Sequence, residues 1–465
     1  MRTTKRVFSE RPLETGKKHA KGLNRRDFLK YSGVTGAAVS AAVLGGFGST
    51  ARAAGPPIAE KLGSVSGANI IVYDPGAADA FRSRICILNM YGSSRSTDIL
   101  PNAGIKRFAA LGYRSANCAP TNGYFIDQVQ YLSNCIKWIK ANISGVEKIV
   151  LWGNSRGCNL QSAYQRIAEN GPATFQGPHM FLPIPNMTLT PADGIIYCDP
   201  NHGFMVNVLA SLATNLVDDD SVMKRTKRLD PLTAENGYLG NGVASYTDRF
   251  CREIWRAQAE RYNRLLDKAR ERMHRIKAGK GMFSDDEPFC VVMGFGNVNA
   301  YQLYAHDIRF YSRTKGACKL LHNDGTITTQ IVPSLRNADK DPGNFEDMSK
   351  CYNTKVSEFL YLGMHVDEHR FGYNETECFG VRWEDNFSSP NGNSRYIHCP
   401  TLAVGRTAGF EFEVAEWIYN DSVAEKKDMI FIEGMTHGGG TTPGFPNVVT
   451  LENNYIDNWL HEVFA

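Results

Sequence analysis

The sequence predicts an α/β fold in which helices cover a mostly parallel sheet, and two observations support this prediction. Apolar runs typical of buried parallel strands occur at residues 84–92, 146–152, 193–198, 401–405 and 428–432. Helical patterns alternate with these runs. The first strong one starts at about Asp127, a candidate N-cap, and places Val129, Leu132, Ile136 and Ile139 on one face. Such alternation predicts a parallel sheet with helices on both faces.

The alternation is interrupted between residues 202 and 394, where the chain is polar, aromatic and irregular. One strong helix is predicted there, over residues 247–278, and its arginines alternate with carboxylates as on a solvated, ion-paired face. The predicted domains are a leader at 1–53, a core in two parts at 54–201 and 395–465, and an insertion at 202–394.

The basic excess of the chain belongs to its first 53 residues, which hold 11 Lys and Arg against 3 Asp and Glu. The other residues hold 41 Lys and Arg against 45 Asp and Glu. This slightly acidic balance gives no general attraction to nucleic acid or to an anionic membrane surface. We therefore expect no nucleic-acid partner.

The leader resembles a twin-arginine export signal. Arg25 and Arg26 precede Phe28 and Leu29, a Gly- and Ala-rich apolar stretch follows over 34–47, and Ala-Arg-Ala at 51–53 is a small-x-small cleavage site. The stretch is shorter than the roughly 20 residues that span a bilayer, so we expect no stable membrane anchor. The resemblance implies passage through the bacterial twin-arginine translocation machinery and a periplasmic or secreted protein.

No cofactor or metal is expected. The eleven cysteines all follow the leader, their odd number leaves at least one thiol unpaired, and none is spaced as C-x-x-C. His365 and His369 are four residues apart without an evident third ligand.

The sharpest chemical signal is Gly-Asn-Ser-Arg-Gly at residues 153–157, a G-x-S-x-G pattern. It directly follows a predicted strand and directly precedes a predicted helix, which is the context of a nucleophile elbow. A tight turn there projects the hydroxyl of Ser155 from the sheet edge, and the helix N-terminus behind it favours a developing oxyanion.

A serine hydroxyl needs a base to attack at neutral pH, and His437 is the preferred candidate. It lies just past the last apolar strand in a glycine-rich loop, which could return the imidazole to Ser155. His202, which also follows a strand, is the main rival.

These parts together resemble the α/β-hydrolase superfamily over residues 70–200 and 395–465. The resemblance implies an α/β-hydrolase fold in which the insertion after the sixth strand forms a large cap. It also implies an oxyanion hole formed by the backbone N–H groups of Arg156 and Ser93, with Gly92 as the alternative to Ser93.

The triad acid has three candidates. The family usually places an Asp three or four residues after the glycine of the strand at 401–405, where this chain has Ala408 and Gly409. Glu411 is closest to that position and is the first choice, and Glu416 is the alternative. Asp199, after the sixth strand, is a third candidate.

The predicted function is a serine hydrolase that cleaves an ester or related acyl bond of a small-molecule acyl substrate. A peptidase or an acyltransferase would use the same triad. An extracytoplasmic binding protein that retains the fold without catalysis is the alternative from another class, favoured by the missing Asp after Gly405.

Overall fold

A ten-stranded sheet forms the centre of the protein in a computed structural model. The structure describes residues 58–77, 79–91, 103–177, 180–217, 224–293, 300–338 and 351–465. The strands are β1 (Ala59–Val65), β2 (Ala68–Asp74), β3 (Ile85–Met90), β4 (Arg114–Pro120), β5 (Lys148–Asn154), β6 (Gly194–Cys198), β7 (Tyr238–Gly240), β8 (Val243–Ala244), β9 (Pro288–Val291), β10 (Arg313–Leu321), β11 (Ile327–Pro333), β12 (Tyr352–Lys355), β13 (Gly372–Tyr373), β14 (Cys378–Phe379), β15 (Thr401–Ala408) and β16 (Lys427–Thr436). The helices are α1 (Ala103–Ala110), α2 (Phe125–Asn142), α3 (Arg156–Asn170), α4 (Phe204–Ala210), α5 (Asp248–Lys277), α6 (Leu303–His306), α7 (Val356–Tyr361), α8 (Pro390–Ser394), α9 (Val414–Asp421) and α10 (Val448–Phe464).

The strand order across the central sheet is β1-β2-β4-β3-β5-β6-β15-β16-β10-β11. The neighbours from β4 to β10 pair in parallel, whereas β1–β2, β2–β4 and β10–β11 pair antiparallel. Strands β3, β5, β6 and β15 are buried almost throughout, which explains their continuous apolar runs.

Helices cover both faces of this sheet. Along β5, Ile149 and Leu151 face the core that contains α2 and α3, whereas Val150 and Trp152 face the core that contains α1 and α10. Successive residues of a strand point to opposite faces, so one apolar run supplies both cores. The predicted class, a mostly parallel sheet covered by helices, is confirmed.

The two predicted helices are present, with one correction. Helix α2 begins at Phe125 after Tyr124, so Asp127 lies in its first turn and is not its N-cap. There its carboxylate still complements the positive end of the helix. Helix α5 begins as predicted, since the Thr247 side chain accepts a hydrogen bond from the Phe250 N–H at 3.2 Å.

The insertion differs from a simple cap because residues 313–333 belong to the central sheet. Strand β10 continues the sheet beyond β16, with Leu320 opposite Phe431 and Leu321 opposite Ile432. Its side chains Cys318, Leu320 and Leu321 are buried, whereas most of β11 is exposed at the outer edge. These strands cover an edge that β16 would otherwise leave unpaired.

The described rest of the insertion also contains three two-stranded sheets, β7–β8, β9–β12 and β13–β14, and β13 contacts α5. All eleven cysteines lie in the described residues and none forms a disulfide. Within the described part of the chain, no helix has the length and apolar character needed to cross a bilayer.

If β10 is an integral strand of the sheet, truncating its buried face should destabilise the whole protein. We expect Leu320→Ala to lower the free energy of unfolding by about 2–5 kcal/mol in urea titration, because it leaves a cavity in the core. The matched control is Ile331→Ala on β11, whose side chain is 43% exposed and should cost less than about 1 kcal/mol. Equal, small effects of both variants would contradict this assignment.

Candidate active site

Ser155 occupies a strained turn between β5 and α3. Its backbone has φ 55° and ψ −126°, a region that residues other than glycine rarely adopt. The Ser155 N–H donates to the Cys198 carbonyl at 3.3 Å, and the Ser155 carbonyl accepts from the Cys158 N–H at 2.9 Å. Strain of this kind costs on the order of 1–3 kcal/mol and occurs most often at functional sites.

The two glycines of the motif differ in whether a β-carbon would fit at their positions. A β-carbon on Gly153 would lie 2.7 Å from the Cys158 nitrogen, so no other residue fits while the turn keeps this shape. A β-carbon on Gly157 would meet its nearest neighbour, the Met90 carbonyl oxygen, at an ordinary 3.7 Å. Gly153 is therefore the sterically required glycine of the elbow.

His437 directly follows β16, and its ring is held by Asp199. The His437 Nδ1 lies 2.6 Å from the Asp199 Oδ2, a hydrogen bond between an imidazole and a carboxylate. Asp199 directly follows β6, the neighbour of β5, and is buried. The carboxyl ends of parallel strands meet at one edge of a sheet, so Ser155, Asp199 and His437 all lie at the same edge.

The pKa of His437 lies above its usual value of 6.5. Burial lowers this pKa, but the hydrogen bond and the negative charge of Asp199 raise it by more. The Asp199 carboxylate thus stabilises the protonated imidazole, as the acid of a catalytic triad does.

The two glutamates expected to supply the acid, Glu411 and Glu416, make hydrogen bonds to groups other than the His437 ring. Glu411 accepts a hydrogen bond from the Tyr304 hydroxyl at 2.8 Å and another from the His202 N–H at 3.2 Å. Glu416 accepts from the backbone N–H groups of Lys315 and Gly316, at 2.8 and 2.6 Å, and so anchors β10.

Gly409, at a position where the family usually has its acid, lies against Asp199. A β-carbon on Gly409 would lie 2.2 Å from the Asp199 Oδ2, so the Asp199 carboxylate occupies the space beside this residue. An Asp at residue 409 and Asp199 could not both fit there while the two loops keep their shape. The sequence signal was present in two parts: a carboxylate directly after the buried sixth strand, and a glycine where the family usually has its acid.

His202, the rival base, is buried, and its Nδ1 lies 3.6 Å from the Glu411 carboxylate. Its ring lies among the rings of Tyr304, Tyr311 and Trp417, and burial lowers its pKa, which favours the neutral form. Neither ring nitrogen has a hydrogen-bond partner among the described residues.

Arg406 forms hydrogen bonds with all three loops of the candidate site, those that carry Ser155, Asp199 and His437. Its guanidinium is buried, donates to the Asn154 side chain beside Ser155, and donates to the His437 carbonyl at 2.9 Å. Its backbone N–H donates to the Asp199 Oδ1 at 3.1 Å. Glu452 of α10 neutralises the guanidinium, with bonds at 2.9 and 3.2 Å.

The pKa of Glu452 reflects this pairing. Burial raises that pKa, but the charges of Arg406 and Arg107 outweigh the effect and hold the pKa below its usual value. The Arg107 guanidinium lies 2.8 Å from the Glu452 carboxylate. A buried carboxylate between two guanidinium groups therefore remains charged.

The insertion approaches the elbow at Arg156. The Arg156 guanidinium lies 3.8 Å from the ring centroid of Phe204 and 4.6 Å from that of Phe125. Glu358 of α7 accepts a hydrogen bond from the Phe125 N–H at 2.6 Å, and burial raises the pKa of Glu358 to about 7.

Ser93 and Gly92, the candidates for the second oxyanion donor, lie outside the described residues.

Residues 22–42 match the TAT (twin-arginine translocation) pathway signal sequence. The predicted export signal is therefore confirmed, and with it the expectation of a periplasmic or secreted protein that passes through the twin-arginine machinery.

Solved structures with similar folds include several hydrolases, all at low identity. A hypothetical protein from Pseudomonas aeruginosa is 9% identical, with a TM-score of 0.40 and coverage of 87% of this chain and 94% of that chain. The siderophore hydrolase EstB from Aspergillus fumigatus is 13% identical, with a TM-score of 0.36 and coverage of 88% and 98%. Carboxyl esterase 2 from Tuber melanosporum is 10% identical, with a TM-score of 0.39 and coverage of 88% of both chains. No curated protein sequence matches the chain.

The topology of the chain itself identifies its fold. The parallel strands β3, β5, β6, β15 and β16 lie side by side in chain order, a strained serine turn joins β5 to α3, and His437 directly follows β16. The chain has the α/β-hydrolase fold.

Proposed function

We propose that this protein is an exported serine hydrolase that cleaves an ester or related acyl bond, with Ser155, His437 and Asp199 as its triad. The hydrogen bond of 2.6 Å between His437 and Asp199 is the observation that carries the proposal. It orients an imidazole at the sheet edge where Ser155 holds its strained turn. The chain order Ser, Asp, His is the order of this fold.

In the first half of the reaction, the Ser155 Oγ attacks the acyl carbon and its proton passes to the His437 Nε2. The Nδ1–H remains bonded to Asp199, which fixes the tautomer and stabilises the imidazolium. The carbonyl electrons move to oxygen, and collapse of the tetrahedral intermediate expels the alcohol, which takes the proton from His437. The product is an acyl-serine.

In the second half, water replaces the alcohol. His437 takes a proton from the water, the hydroxide attacks the acyl carbon, and the Ser155 oxygen leaves with that proton to release a carboxylic acid. The backbone N–H of Arg156, at the first residue of α3, is one proposed donor to the oxyanion, with Ser93 as the other. Backbone donors serve here whatever their side chains are.

The alternative of a binding protein without catalysis rested on the missing acid after Gly405, and the bond between Asp199 and His437 removes that reason. A peptidase or an acyltransferase with the same triad would differ in its leaving group or acceptor. We favour ester hydrolysis of a small-molecule acyl substrate outside the cytoplasm, as the export signal implies.

We expect a fluorophosphonate probe to label the wild-type protein at Ser155, and Ser155→Ala to abolish labelling. The same substitution should lower kcat on short acyl esters by about 10⁴-fold or more, because the nucleophile is lost. The control is Ser422→Ala, a buried serine whose hydroxyl accepts from the Ala424 N–H, and it should keep labelling. A wild-type protein that neither reacts with the probe nor cleaves esters would refute the hydrolase.

The identity of the acid is tested by a matched pair of amide substitutions. Asp199→Asn should lower kcat by about 10³–10⁴-fold, since it loses the charge that stabilises the protonated His437. Glu411→Gln, which keeps a similar shape beside Tyr304, should lower kcat by less than about tenfold. If the Glu411 variant loses more activity than the Asp199 variant, Glu411 is the acid.

The raised pKa of His437 predicts the acid limb of the pH profile. The base works as neutral imidazole, so kcat/KM should fall as the pH drops through this pKa, with a midpoint above 6.5. Asp199→Asn should move the midpoint to lower pH in steady-state measurements across pH 5–9. A midpoint that Asp199→Asn leaves unchanged would mean that Asp199 does not stabilise the imidazolium.

A further inference from the structure

The insertion contains a cavity of about 500 Å³ that Ser155, Asp199 and His437 do not line. A volume of this size falls in the range of small-molecule sites. One face of α5 forms one wall, and segments around residues 309, 370 and 379 form the others. The lining residues are Asp248, Cys251, Arg252, Trp255, Arg309, Phe310, His369, Arg370, Phe371, Tyr373, Asn374, Glu375 and Phe379.

The apolar part of the lining is a preformed set of aromatic rings. The Trp255 ring lies 4.9 Å from that of Tyr373 and 5.5 Å from that of Phe310. Trp255 and Tyr373 are almost fully buried, so their packing fixes them in place. Phe379, by contrast, is 38% exposed and contributes apolar surface at the cavity. Rings held in this way can accept a flat apolar group with little loss of conformational entropy.

The charged part of the lining favours an anion. Arg309 is already paired with Asp307 at 3.0 Å and with Asp248 at 3.6 Å. Arg252 and Arg370 are exposed, and neither guanidinium has an ion pair or hydrogen bond with the described residues. With respect to the part of the chain that the structure describes, the lining sets one carboxylate without an ion pair or hydrogen bond, that of Glu375, against these two guanidinium groups.

We propose that this cavity is a second binding site, for a small aromatic carboxylate, separate from the catalytic serine. The ring of the ligand packs against the aromatic wall at Trp255 and Phe379, and its carboxylate is held by Arg252 and Arg370. Guanidinium groups bind carboxylates through paired hydrogen bonds and also stack on aromatic faces, so this combination suits both parts of such a ligand.

The test is isothermal titration calorimetry of the exported protein with naphthoate as the probe and naphthalenemethanol as its uncharged counterpart. We expect saturable binding of one naphthoate per chain and at least about tenfold weaker binding of the alcohol, because it lacks the anion that the arginines recognise. Equal affinity for acid and alcohol, or no binding of naphthoate, overturns the proposal.

Substitutions locate the site. Arg252→Glu and Arg370→Glu should each weaken naphthoate binding at least about tenfold, while Arg275→Glu should leave it unchanged. Arg275 is an exposed arginine of the same helix that does not line the cavity, so it controls for net charge. An equal loss in all three variants would indicate unspecific attraction and would overturn the site.

The site is further separated from the proposed hydrolase by measuring naphthoate binding to Ser155→Ala and to protein labelled at Ser155. Unchanged binding in both supports a separate cavity, whatever the outcome of the activity assays. Binding that labelling abolishes would place the ligand at the serine and refute a second site.

Discussion

The buried ion pair between Arg406 and Glu452 is the interaction on which the arrangement of the site depends. A guanidinium enclosed in the protein must be neutralised and its donors satisfied, because an unpaired buried charge costs several kcal/mol. Glu452 supplies the opposite charge, and the remaining donors go to the carbonyl of His437 and the side chain of Asn154. The hydrogen bonds of one cation therefore join the two loops that carry Ser155 and His437 in the candidate site, and the backbone N–H of the same residue donates to Asp199.

The sequence was sufficient for the parts of the candidate site that local context determines. A G-x-S-x-G motif between a strand and a helix can be recognised without knowing the fold, and the turn at Ser155 has the strained backbone that the motif implies. The acid was harder to predict. The proposed acid, Asp199, is favoured by its hydrogen bond to His437 and by its contact with Gly409, and both contacts join residues that are distant in the chain.

The fold shows the same division between local and distant determinants. Continuous apolar runs predicted the buried parallel strands, and the helical pattern over residues 247–278 predicted α5. The two strands at 313–333 were missed because they lie at the sheet edge, where one face or both are exposed and the apolar pattern is weak. Whether such a segment joins the main sheet depends on an unpaired neighbour, here β16, and not on its own composition.

The close approach of Gly409 to Asp199 has a consequence for substitutions at residue 409. A side chain added there would enter the space that the Asp199 carboxylate occupies, and this carboxylate lies 2.6 Å from the His437 ring. While both loops keep their shape, a larger residue at 409 would therefore displace the carboxylate from the imidazole. A position that contributes no side chain of its own can in this way control the protonation of a histidine on another strand.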